Sequence, residues 1–310
     1  MQAPASNVIT LPDSGVLLES NVALAPYTSF RVGGPADWLT QPHTLDQLQE
    51  VYQWALDQKM PITFLGAGSN LLISDHGLPG LVMITKHLKA HSIDPNTGLM
   101  IAEAGKTIPR LSTQAAQQGC SGFEWAVGIP GTIGGAVVMN AGAHGGCVAD
   151  NLEEVHILTG DGNIQILSNS QLHYHYRSSI LQTHPQLVVK AVFRLHPGHD
   201  PQSVLQQTQA HRDHRLTTQP YDWPSCGSVF RNPQPQSAGW LIEQSGLKGY
   251  QLGGAQISEK HANFILNLGE ASARDIYQLI HYIQEVIDRQ WGLKLHPEVK
   301  MLGEFPSSLV

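Results

Sequence analysis

The spacing of apolar and polar positions predicts a chain of mixed helices and strands. The clearest helix spans 272–291, where apolar residues recur on one face, Ser272 and Asp275 form the N-terminal cap, and Gly292 ends it. A second amphipathic helix over 44–57 begins with a capping box and ends before Pro61. Helices are predicted over 44–57, 107–118, 135–139, 202–215, 237–245 and 272–291.

Shorter apolar runs bounded by turn residues predict strands. A hairpin is expected where the turn 160–163, Gly-Asp-Gly-Asn, joins two such runs. The predicted strands are 62–65, 71–74, 81–85, 155–159, 164–167 and 187–195.

Stretches of low periodicity and stretches that contain Pro and Gly predict how the chain is divided into domains. Residues 1–20 show little periodicity and are expected to form an N-terminal tail. The Pro- and Gly-containing stretch 197–201 marks a domain boundary. We expect one domain over 21–197, divided into halves of about 21–87 and 88–197, and a C-terminal domain over 198–310.

Composition narrows the class of protein. Of the 310 residues, 41% are hydrophobic and only 14% are charged, below the roughly 25% of ordinary soluble domains. The net charge of −7 argues against a nucleic-acid partner. No apolar run approaches the roughly 20 residues that a membrane helix needs. No Lys or Arg precedes Arg31, so a secretory signal with a basic start is not expected, and the sequence predicts a cytoplasmic protein without a membrane partner.

Metal chemistry is not indicated. Cys120, Cys147 and Cys226 are widely spaced and form no CxxC pair. The histidine pairs 211/214 and 173/175 do not have the HExxH spacing of a zinc enzyme. We therefore predict neither a metal site nor a disulfide framework.

The segment 128–142 is the strongest candidate for binding a ligand. Its sequence is Gly-Ile-Pro-Gly-Thr-Ile-Gly-Gly-Ala-Val-Val-Met-Asn-Ala-Gly, with glycine at every third position from Gly128 to Gly134. Glycine lets main-chain N–H groups approach a ligand closely, and the helix expected from Gly135 onward favours an anion at its N-terminus. The pattern indicates a phosphorylated, extended cofactor held against the main chain.

A second glycine-rich turn, 66–71, does not match the common dinucleotide motifs. It has Leu71 where a Rossmann fingerprint needs Gly or Ala, and a strand-like segment follows it instead of a helix. Nor is 105–107 a P-loop, because Met100 stands where its first glycine belongs. The turn 66–70 fits a nest of N–H groups for a diphosphate, and it fits equally well a tight turn that needs only positive φ.

Six segments in order resemble one enzyme family. They are Tyr-Thr-Ser-Phe-Arg-Val-Gly-Gly at 27–34, the two glycine-rich segments, Tyr-Arg-Ser-Ser at 176–179, Ser-Cys-Gly-Ser-Val-Phe-Arg-Asn-Pro at 225–233 and Leu-His-Pro-Glu-Val at 295–299. Together they resemble the UDP-N-acetylenolpyruvoylglucosamine reductases over about residues 21–303. The resemblance implies an α+β fold, with a two-part FAD-binding domain of the vanillyl-alcohol-oxidase (PCMH) type and a C-terminal α+β substrate lobe.

The resemblance also implies the ligands. They are noncovalent FAD, NADPH as reductant, and UDP-N-acetylglucosamine enolpyruvate as substrate. The family reduces this substrate to UDP-N-acetylmuramate for peptidoglycan. We expect the enzyme to be a monomer. The residues expected to hold FAD are Gly66, Ala67, Gly68, Ser69, Asn70, Leu71, Gly128, Ile129, Pro130, Gly131, Gly134, Gly135, Asn140, Ala141 and Gly142.

Three residues match the catalytic positions of the family. Ser228 matches the proton donor, and its weak acidity suffices because an enolate is a strong base and position matters more. Arg177 matches the arginine that holds the substrate carboxylate. Glu298 matches the third position, and we expect it to be partly protonated or neutralised by Arg177, because an ionised Glu beside an enolising carboxylate would be repulsive.

The predicted substrate contacts are less distinctive. They are Tyr176, Arg231, Asn232, Gln256, Lys260, His261 and Asn263. The stretch 178–200 is short and lacks tyrosine, so the chain resembles the class of the family without a tyrosine-bearing lid.

Two other functions are compatible with an FAD scaffold of this kind. An oxidase acting on an alcohol or sugar often holds its flavin covalently, so acid precipitation that releases all the yellow colour would argue against it. A nucleotide-binding module without turnover would bind a UDP-sugar, but its flavin would not be bleached by NADPH.

Overall fold

The computed structural model describes residues 7–183 and 186–306. Seven α-helices lie in these ranges: α1 (Leu45–Asp57), α2 (Ile108–Gln117), α3 (Ile133–Met139), α4 (Val148–Asn151), α5 (Pro201–Thr218), α6 (Ala238–Gln244) and α7 (Ala273–Trp291). Short 3₁₀ helices cover Ala25–Tyr27, Thr85–His87, Glu124–Gly128, Asn169–Leu172 and Ile180–Gln182.

The strands of the described ranges are short, as the sequence predicts. They are β1 (Val8–Thr10), β2 (Leu17–Ala23), β3 (Pro35–Thr40), β4 (Ile62–Leu65), β5 (Leu71–Ile73), β6 (Leu78–Ile84), β7 (His91–Ile93), β8 (Leu99–Glu103), β9 (Gly142–Ala143), β10 (Gly146–Cys147), β11 (Leu152–Leu158), β12 (Ile164–Ser168), β13 (Leu187–Arg194), β14 (Gln251–Leu252), β15 (Ala255–Ile257), β16 (Ile265–Asn267) and β17 (Lys300–Leu302).

A first five-stranded sheet has the order β1-β2-β3-β6-β4. Strands β3, β6 and β4 are parallel, whereas β1 and β2 add to them in antiparallel fashion. The buried residues Leu48 and Val51 of α1 share an apolar cluster with Leu81 and Met83 of β6. The apolar core of this half is therefore formed in part by helix α1, which the 3.6-residue period predicts.

The expected N-terminal tail is wrong over the part that the structure describes. Strands β1 and β2 pair with each other, and β2 pairs with β3. Leu18 is fully buried, and the side chains of β2 alternate in burial along the strand. Strand β1 forms the edge of the sheet, where few positions face the core. Residues 1–6 lie outside the described ranges.

A second five-stranded sheet has the order β12-β11-β13-β8-β7 and is antiparallel throughout. Helices α2 and α3 contribute buried residues such as Leu111 and Val137 to the same core as Phe193 of β13. The change from the first sheet to the second lies between Ile84 and His91. The α+β class and the two-part architecture follow from these two sheets.

Helix α5 packs against α2 and the 3₁₀ helix Glu124–Gly128, with Val204 and Thr208 buried. The predicted boundary at 197/198 places α5 in the C-terminal domain. Its contacts are instead with α2 and the 3₁₀ helix Glu124–Gly128, which pack with the second sheet. We therefore propose a boundary after α5.

The C-terminal lobe is a three-stranded sheet, β14-β15-β16, packed against α7. The predicted capping box of α7 forms between Ser272 and Asp275, and Gly292 ends the helix in the left-handed region at φ +64°. The last strand, β17, leaves the lobe and pairs in parallel with β5, so that Lys300 lies opposite Leu71. The lobe is thus joined to the sequence that follows the first glycine-rich turn.

Candidate active site

The two glycine-rich segments lie side by side. The hydroxyl of Ser69 donates to the carbonyl of Pro130 over 2.9 Å. A Cβ on Gly66 would lie 2.5 Å from Oγ1 of Thr132. Because the turn 66–70 runs directly into strand β5, it is not a strand-to-helix turn, and the structure agrees with the rejection of a Rossmann site.

Some of the glycines are required by the protein itself. Gly68 has φ +64°, and a Cβ there would lie 2.0 Å from the carbonyl oxygen of Tyr27. A Cβ on Gly128 would lie 2.0 Å from Cδ of Arg215. A Cβ on Gly134 would lie 3.0 Å from Cβ of Ala104. Gly68 therefore needs glycine for its turn whether or not a ligand is bound, whereas a side chain at Gly128 or Gly134 would require Arg215 or Ala104 to shift.

Gly135 is different, because the protein leaves space around it. Its residue is exposed, and the nearest atom to an added Cβ is Oγ1 of Thr132 at 3.9 Å. It lies in the first turn of α3, where the N–H groups of Ile133 and Gly134 donate to the carbonyls of Lys106 and Ala104. The open space at Gly135 fits the close approach of a flavin dinucleotide.

Asn140 ends α3 in the left-handed region at φ +44°. Its side-chain Nδ2 donates to the carbonyl of His175, and its Oδ1 accepts from the N–H of Ala149. The side chain predicted to contact the cofactor therefore holds the loop that precedes Arg177. Of its neighbours in the predicted set, Ile129 and Ala141 pack against the core beneath.

Arg177 and Glu298 form an ion pair, with 3.1 Å between Nε and Oε1. Each side chain is about one-fifth exposed, at 21% and 18%. The Nη2 of Arg177 donates to the carbonyl of Gly142 over 2.6 Å, and its backbone is left-handed at φ +54°. Tyr176 lies beside it, with the guanidinium carbon 5.1 Å from the centre of the ring. The arginine thus links the glycine-rich segment to the carboxyl.

Ser228 lies on the chain segment that pairs with the one carrying Glu298. The N–H of Glu298 donates to the carbonyl of Val229 over 2.7 Å, and Phe230 forms a β-bridge with Pro297. Ser228 is half-buried and directly precedes this pairing. The three residues predicted as catalytic therefore come from segments that the fold brings together.

The environment of Glu298 favours its neutral form more than ordinary surroundings do. Burial raises the pKa of Glu298, while the positive charges of Arg177 and Arg231 act in the opposite direction. The net direction is upward. Both expected alternatives, a partly protonated carboxyl and a carboxylate neutralised by Arg177, therefore stay open.

Asn263, predicted to contact the substrate, has a different position. It is buried, its Nδ2 donates to the carbonyl of Phe230 over 2.8 Å, and its Oδ1 accepts from the N–H of the same residue over 2.9 Å. Its own carbonyl accepts from the N–H of Val229. We propose instead that Asn263 fixes the segment next to Ser228, because both ends of the amide already bind the main chain.

The remaining predicted substrate residues surround this segment, and most have protein partners. Asn232 Oδ1 accepts from the N–H of Ala238, Gln256 Nε2 donates to the carbonyl of Gly249, and Lys260 Nζ donates to the carbonyl of Leu216. His261 Nδ1 accepts from the N–H of Asn263, and burial lowers the pKa of His261. Among the described residues, the buried Nε of Arg231 has no hydrogen-bond partner.

Comparison with known proteins identifies the family. Residues 36–168 match the model of an FAD binding domain, and residues 219–302 match the C-terminal domain of UDP-N-acetylenolpyruvoylglucosamine reductase. The chain is 61% identical to the UDP-N-acetylenolpyruvoylglucosamine reductase of Acaryochloris marina over 289 residues, which cover 93% of this chain and 94% of the relative. The chain belongs to the UDP-N-acetylenolpyruvoylglucosamine reductase family.

Other members agree over the whole length. The protein of that name from Nostoc punctiforme is 53% identical, with 97% of this chain and 90% of the relative covered. The crystal structure of the reductase from Thermus caldophilus superposes with a TM-score of 0.79 at 34% identity, covering 96% of this chain and all of that one. The two-part FAD-binding domain with a reductase-type C-terminal lobe is thereby confirmed.

Lys300 is a candidate for the reductase site that the sequence analysis missed. Its N–H donates to the carbonyl of Asn70, and the side-chain Nδ2 of Asn70 donates to the carbonyl of Glu298. Burial and the charge of Arg231 lower the pKa of Lys300. It stands two positions after Glu298, at the start of strand β17.

Two features are absent from the described residues, a metal-binding cluster and a helix that could cross a membrane. No group of three or more His, Cys, Asp or Glu residues in 7–183 and 186–306 is placed to hold a metal ion. Within the same ranges no helix has the length and apolar character to cross a bilayer.

Proposed function

We propose that this reductase converts UDP-N-acetylglucosamine enolpyruvate to UDP-N-acetylmuramate, with NADPH as the source of electrons and noncovalent FAD as the carrier. The observation that carries the proposal is the ion pair of Arg177 and Glu298, beside the segment of Ser228 and tied through Gly142 to the second glycine-rich segment. The product is a precursor of peptidoglycan.

FAD, when bound, supplies hydride to the terminal carbon of the enolpyruvyl group. The glycine-rich turns at 66–71 and 128–135 would hold its diphosphate through main-chain N–H groups, and the hydrogen bond from Ser69 to Pro130 would keep the two turns together. The protein must then stabilise negative charge on the substrate and deliver one proton to the adjacent carbon.

Arg177 stabilises the negative charge that develops on the substrate. Its guanidinium is fixed at Nη2 by Gly142 and at Nε by Glu298, which leaves its remaining N–H groups for the substrate carboxylate. Because the group is held before the substrate arrives, it stabilises the enolate without rearrangement.

Ser228 is the proton donor in this proposal. Its hydroxyl transfers a proton to the carbon next to the carboxylate, and the resulting alkoxide recovers a proton from water. Glu298, whose pKa is raised by burial, donates a hydrogen bond to the enolate oxygen in its protonated form. The lobe holds both groups through the pairing of Val229 with Glu298.

The decisive experiment separates the two half-reactions under anaerobic conditions. NADPH should bleach the flavin of the wild-type protein, and UDP-N-acetylglucosamine enolpyruvate should then restore its colour. Ser228→Ala should be bleached normally and reoxidised about 10²-fold more slowly or worse. Ser170→Ala, an exposed serine of a distant 3₁₀ helix, serves as control. Normal reoxidation of the Ser228→Ala flavin would remove Ser228 from the mechanism.

The accompanying features belong to the same proposal and have their own tests. Acid precipitation should release all the flavin if it is noncovalent, which an oxidase with a covalent flavin would not do. Comparison of NADPH with NADH tests the reductant, and sedimentation tests the monomer. The absence of a tyrosine-bearing lid and a cytoplasmic location remain predictions of the sequence.

A further inference from the structure

The turn that carries Arg177 has a backbone conformation that arginine does not favour. His175 and Ser178 close this turn, because the N–H of each donates to the carbonyl of the other over 3.1 Å. Tyr176 and Arg177 occupy the two central positions, and Arg177, the second of them, has φ +54°. Turns with positive φ at this position ordinarily have glycine or asparagine there. An arginine therefore needs contacts from outside the turn to hold it in this conformation.

The end of helix α3 supplies such contacts. The last four carbonyls of an α-helix have no partner within the helix. The carbonyl of Val138 accepts from Oγ of Ser179 over 2.6 Å and from Nε2 of Gln182 over 3.1 Å. The carbonyl of Val137 accepts from the hydroxyl of Tyr174 over 3.0 Å. The chain on both sides of the turn is therefore tied to a helix that lies within the second glycine-rich segment.

Gln182 differs from the other two anchors because its amide also binds Arg177. The same Nε2 that donates to the carbonyl of Val138 donates to the main-chain carbonyl of Arg177 over 3.0 Å. A primary amide nitrogen has two N–H groups, so each carbonyl can accept one of them. Gln182 thus joins the end of the helix directly to the residue whose backbone is left-handed.

The position of the guanidinium depends on this backbone. Its Nη2 donates to the carbonyl of Gly142 over 2.6 Å, and its Nε lies 3.1 Å from Oε1 of Glu298. Gly142 lies three residues after the end of α3, so one segment anchors both the turn and the guanidinium. A turn that relaxed to the negative φ that arginine prefers would direct the side chain of Arg177 elsewhere.

We propose that Gln182 is a positioning residue for the reduction of the enolpyruvyl group, an assignment that rests on the proposed function. Its amide holds the main chain of Arg177 in the left-handed conformation against the end of α3. The guanidinium is thereby directed to the place where the substrate carboxylate binds. Gln182 acts through Arg177 and not on the substrate itself, so it affects the half-reaction in which charge develops on the substrate. The transfer of hydride from NADPH does not depend on it.

The first test removes the two donors and keeps the length of the side chain. In Gln182→Met, NADPH should bleach the flavin at the wild-type rate under anaerobic conditions. Reoxidation by UDP-N-acetylglucosamine enolpyruvate should be about tenfold to 10²-fold slower, because a displacement of about 1 Å at a reacting group can cost about 10²-fold. Gln165→Met changes an exposed glutamine of β12 in the same way and is the matched control, with both rates unchanged.

A combination with Arg177→Lys distinguishes positioning from a general structural role. If Gln182 acts through Arg177, Gln182→Met should slow the reoxidation of Arg177→Lys by less than about twofold, because the group that it positions is already lost. A general structural role would instead lower the melting temperature, weaken flavin retention and slow both half-reactions. It would also add its full effect to that of Arg177→Lys, and such additivity would overturn the proposal.

Gln182→Glu gives a second test that does not depend on the folding of the methionine variant. Its ionised carboxylate would face two carbonyl oxygens with no hydrogen to donate, whereas its protonated carboxyl keeps one O–H donor. The two carbonyls would raise the pKa of this carboxyl above the ordinary value of about 4.3. The ratio of its reoxidation rate to that of the wild type should therefore rise as the pH is lowered. A ratio that does not change with pH would contradict the role of the amide as a donor.

The inference and the proposed function fail in different ways. If the wild-type flavin is reoxidised by the enolpyruvyl substrate and Gln182→Met is reoxidised equally fast, Gln182 has no positioning role and the proposed function stands. If the substrate does not reoxidise the wild-type flavin, the proposed function is wrong and the role of Gln182 falls with it.

Discussion

The guanidinium Nε of Arg177 lies 3.1 Å from Oε1 of Glu298, although the two residues belong to different parts of the fold. Arg177 follows the second sheet's hairpin, whereas Glu298 lies two residues before the start of strand β17. Each is also fixed by the main chain, Arg177 through the carbonyl of Gly142 and Glu298 through the carbonyl of Val229. Removal of either side chain would leave the other partly buried without its partner, so their substitutions should be non-additive.

The role of Glu298 can be tested by replacing it with a neutral hydrogen-bond donor. Glu298→Gln should keep much more activity than Glu298→Ala if the group acts as a donor. Burial raises the pKa of Glu298, so the protonated, donating form is lost as pH rises through that raised value. Wild-type activity should therefore fall across this window, and the Gln variant should lack that fall. Equal losses for Gln and Ala would exclude a donor role.

The same shift predicts a change in stability with pH. A carboxyl with a raised pKa in the folded state contributes stability that is fully present below its unfolded pKa and is lost as pH rises through the folded value. Thermal unfolding across this window should show a decline for the wild type that is smaller in Glu298→Gln. A parallel decline in both proteins would locate the titrating group elsewhere.

Asn263 should behave as a structural residue. Asn263→Ala removes two hydrogen bonds and leaves the main-chain groups of Phe230 unsatisfied, at a cost of about 3 kcal/mol and roughly 5–10 °C in melting temperature. Asn163→Ala, in an exposed turn, is the control. A rise in KM for the UDP-sugar with an unchanged melting temperature would instead support the substrate contact first predicted.

Gly145 and Gly68 both have positive φ, but only Gly68 has an atom close to the position of an added Cβ. Substituting each by alanine therefore distinguishes the effect of backbone strain from that of a steric clash. Gly145→Ala should lower the free energy of unfolding by only about 1 kcal/mol, the cost of a left-handed backbone for a residue with a Cβ, because no atom lies within 4 Å of the added Cβ. Gly68→Ala adds a collision with the carbonyl of Tyr27. We expect the second variant to lose both stability and flavin, measured by unfolding and by bound-flavin absorbance. Equal behaviour of the two variants would show that the turn can move aside.

Gly135 should be required by the ligand alone. Gly135→Ala places its Cβ in open space on a helix, where alanine is favoured over glycine by about 0.5–1 kcal/mol. The flavin-free protein should be as stable as the wild type or slightly more stable. Its FAD affinity should fall by about 1–3 kcal/mol, because the added methyl group crowds the cofactor. Unchanged FAD affinity would place the cofactor away from this helix.

Local signals predicted the elements of the fold that depend on local physics. The capping box at Ser272, the apolar face of α1 and the hairpin after β11 all have the expected form. Strands β1 and β2 were missed because they join the sheet through pairing of β2 with β3 and of β1 with β2, which their own period does not reveal.

At the candidate site, the sequence motifs predict segments that lie together in the fold, but not how each side chain is used. The amides of Asn140 and Asn263 bind the main chain, and nothing in the sequence distinguishes that use from a contact with a ligand. The left-handed backbone of Arg177 is likewise set by its surroundings, because local preference disfavours it.

The parallel pairing of β17 with β5 has a consequence for biosynthesis. The turn expected to receive the cofactor diphosphate is translated well before the strand beside it. A nascent chain therefore cannot complete this pairing until residues 300–302 have been made, and a stop codon shortly before Lys300 should yield a protein that does not retain its yellow colour.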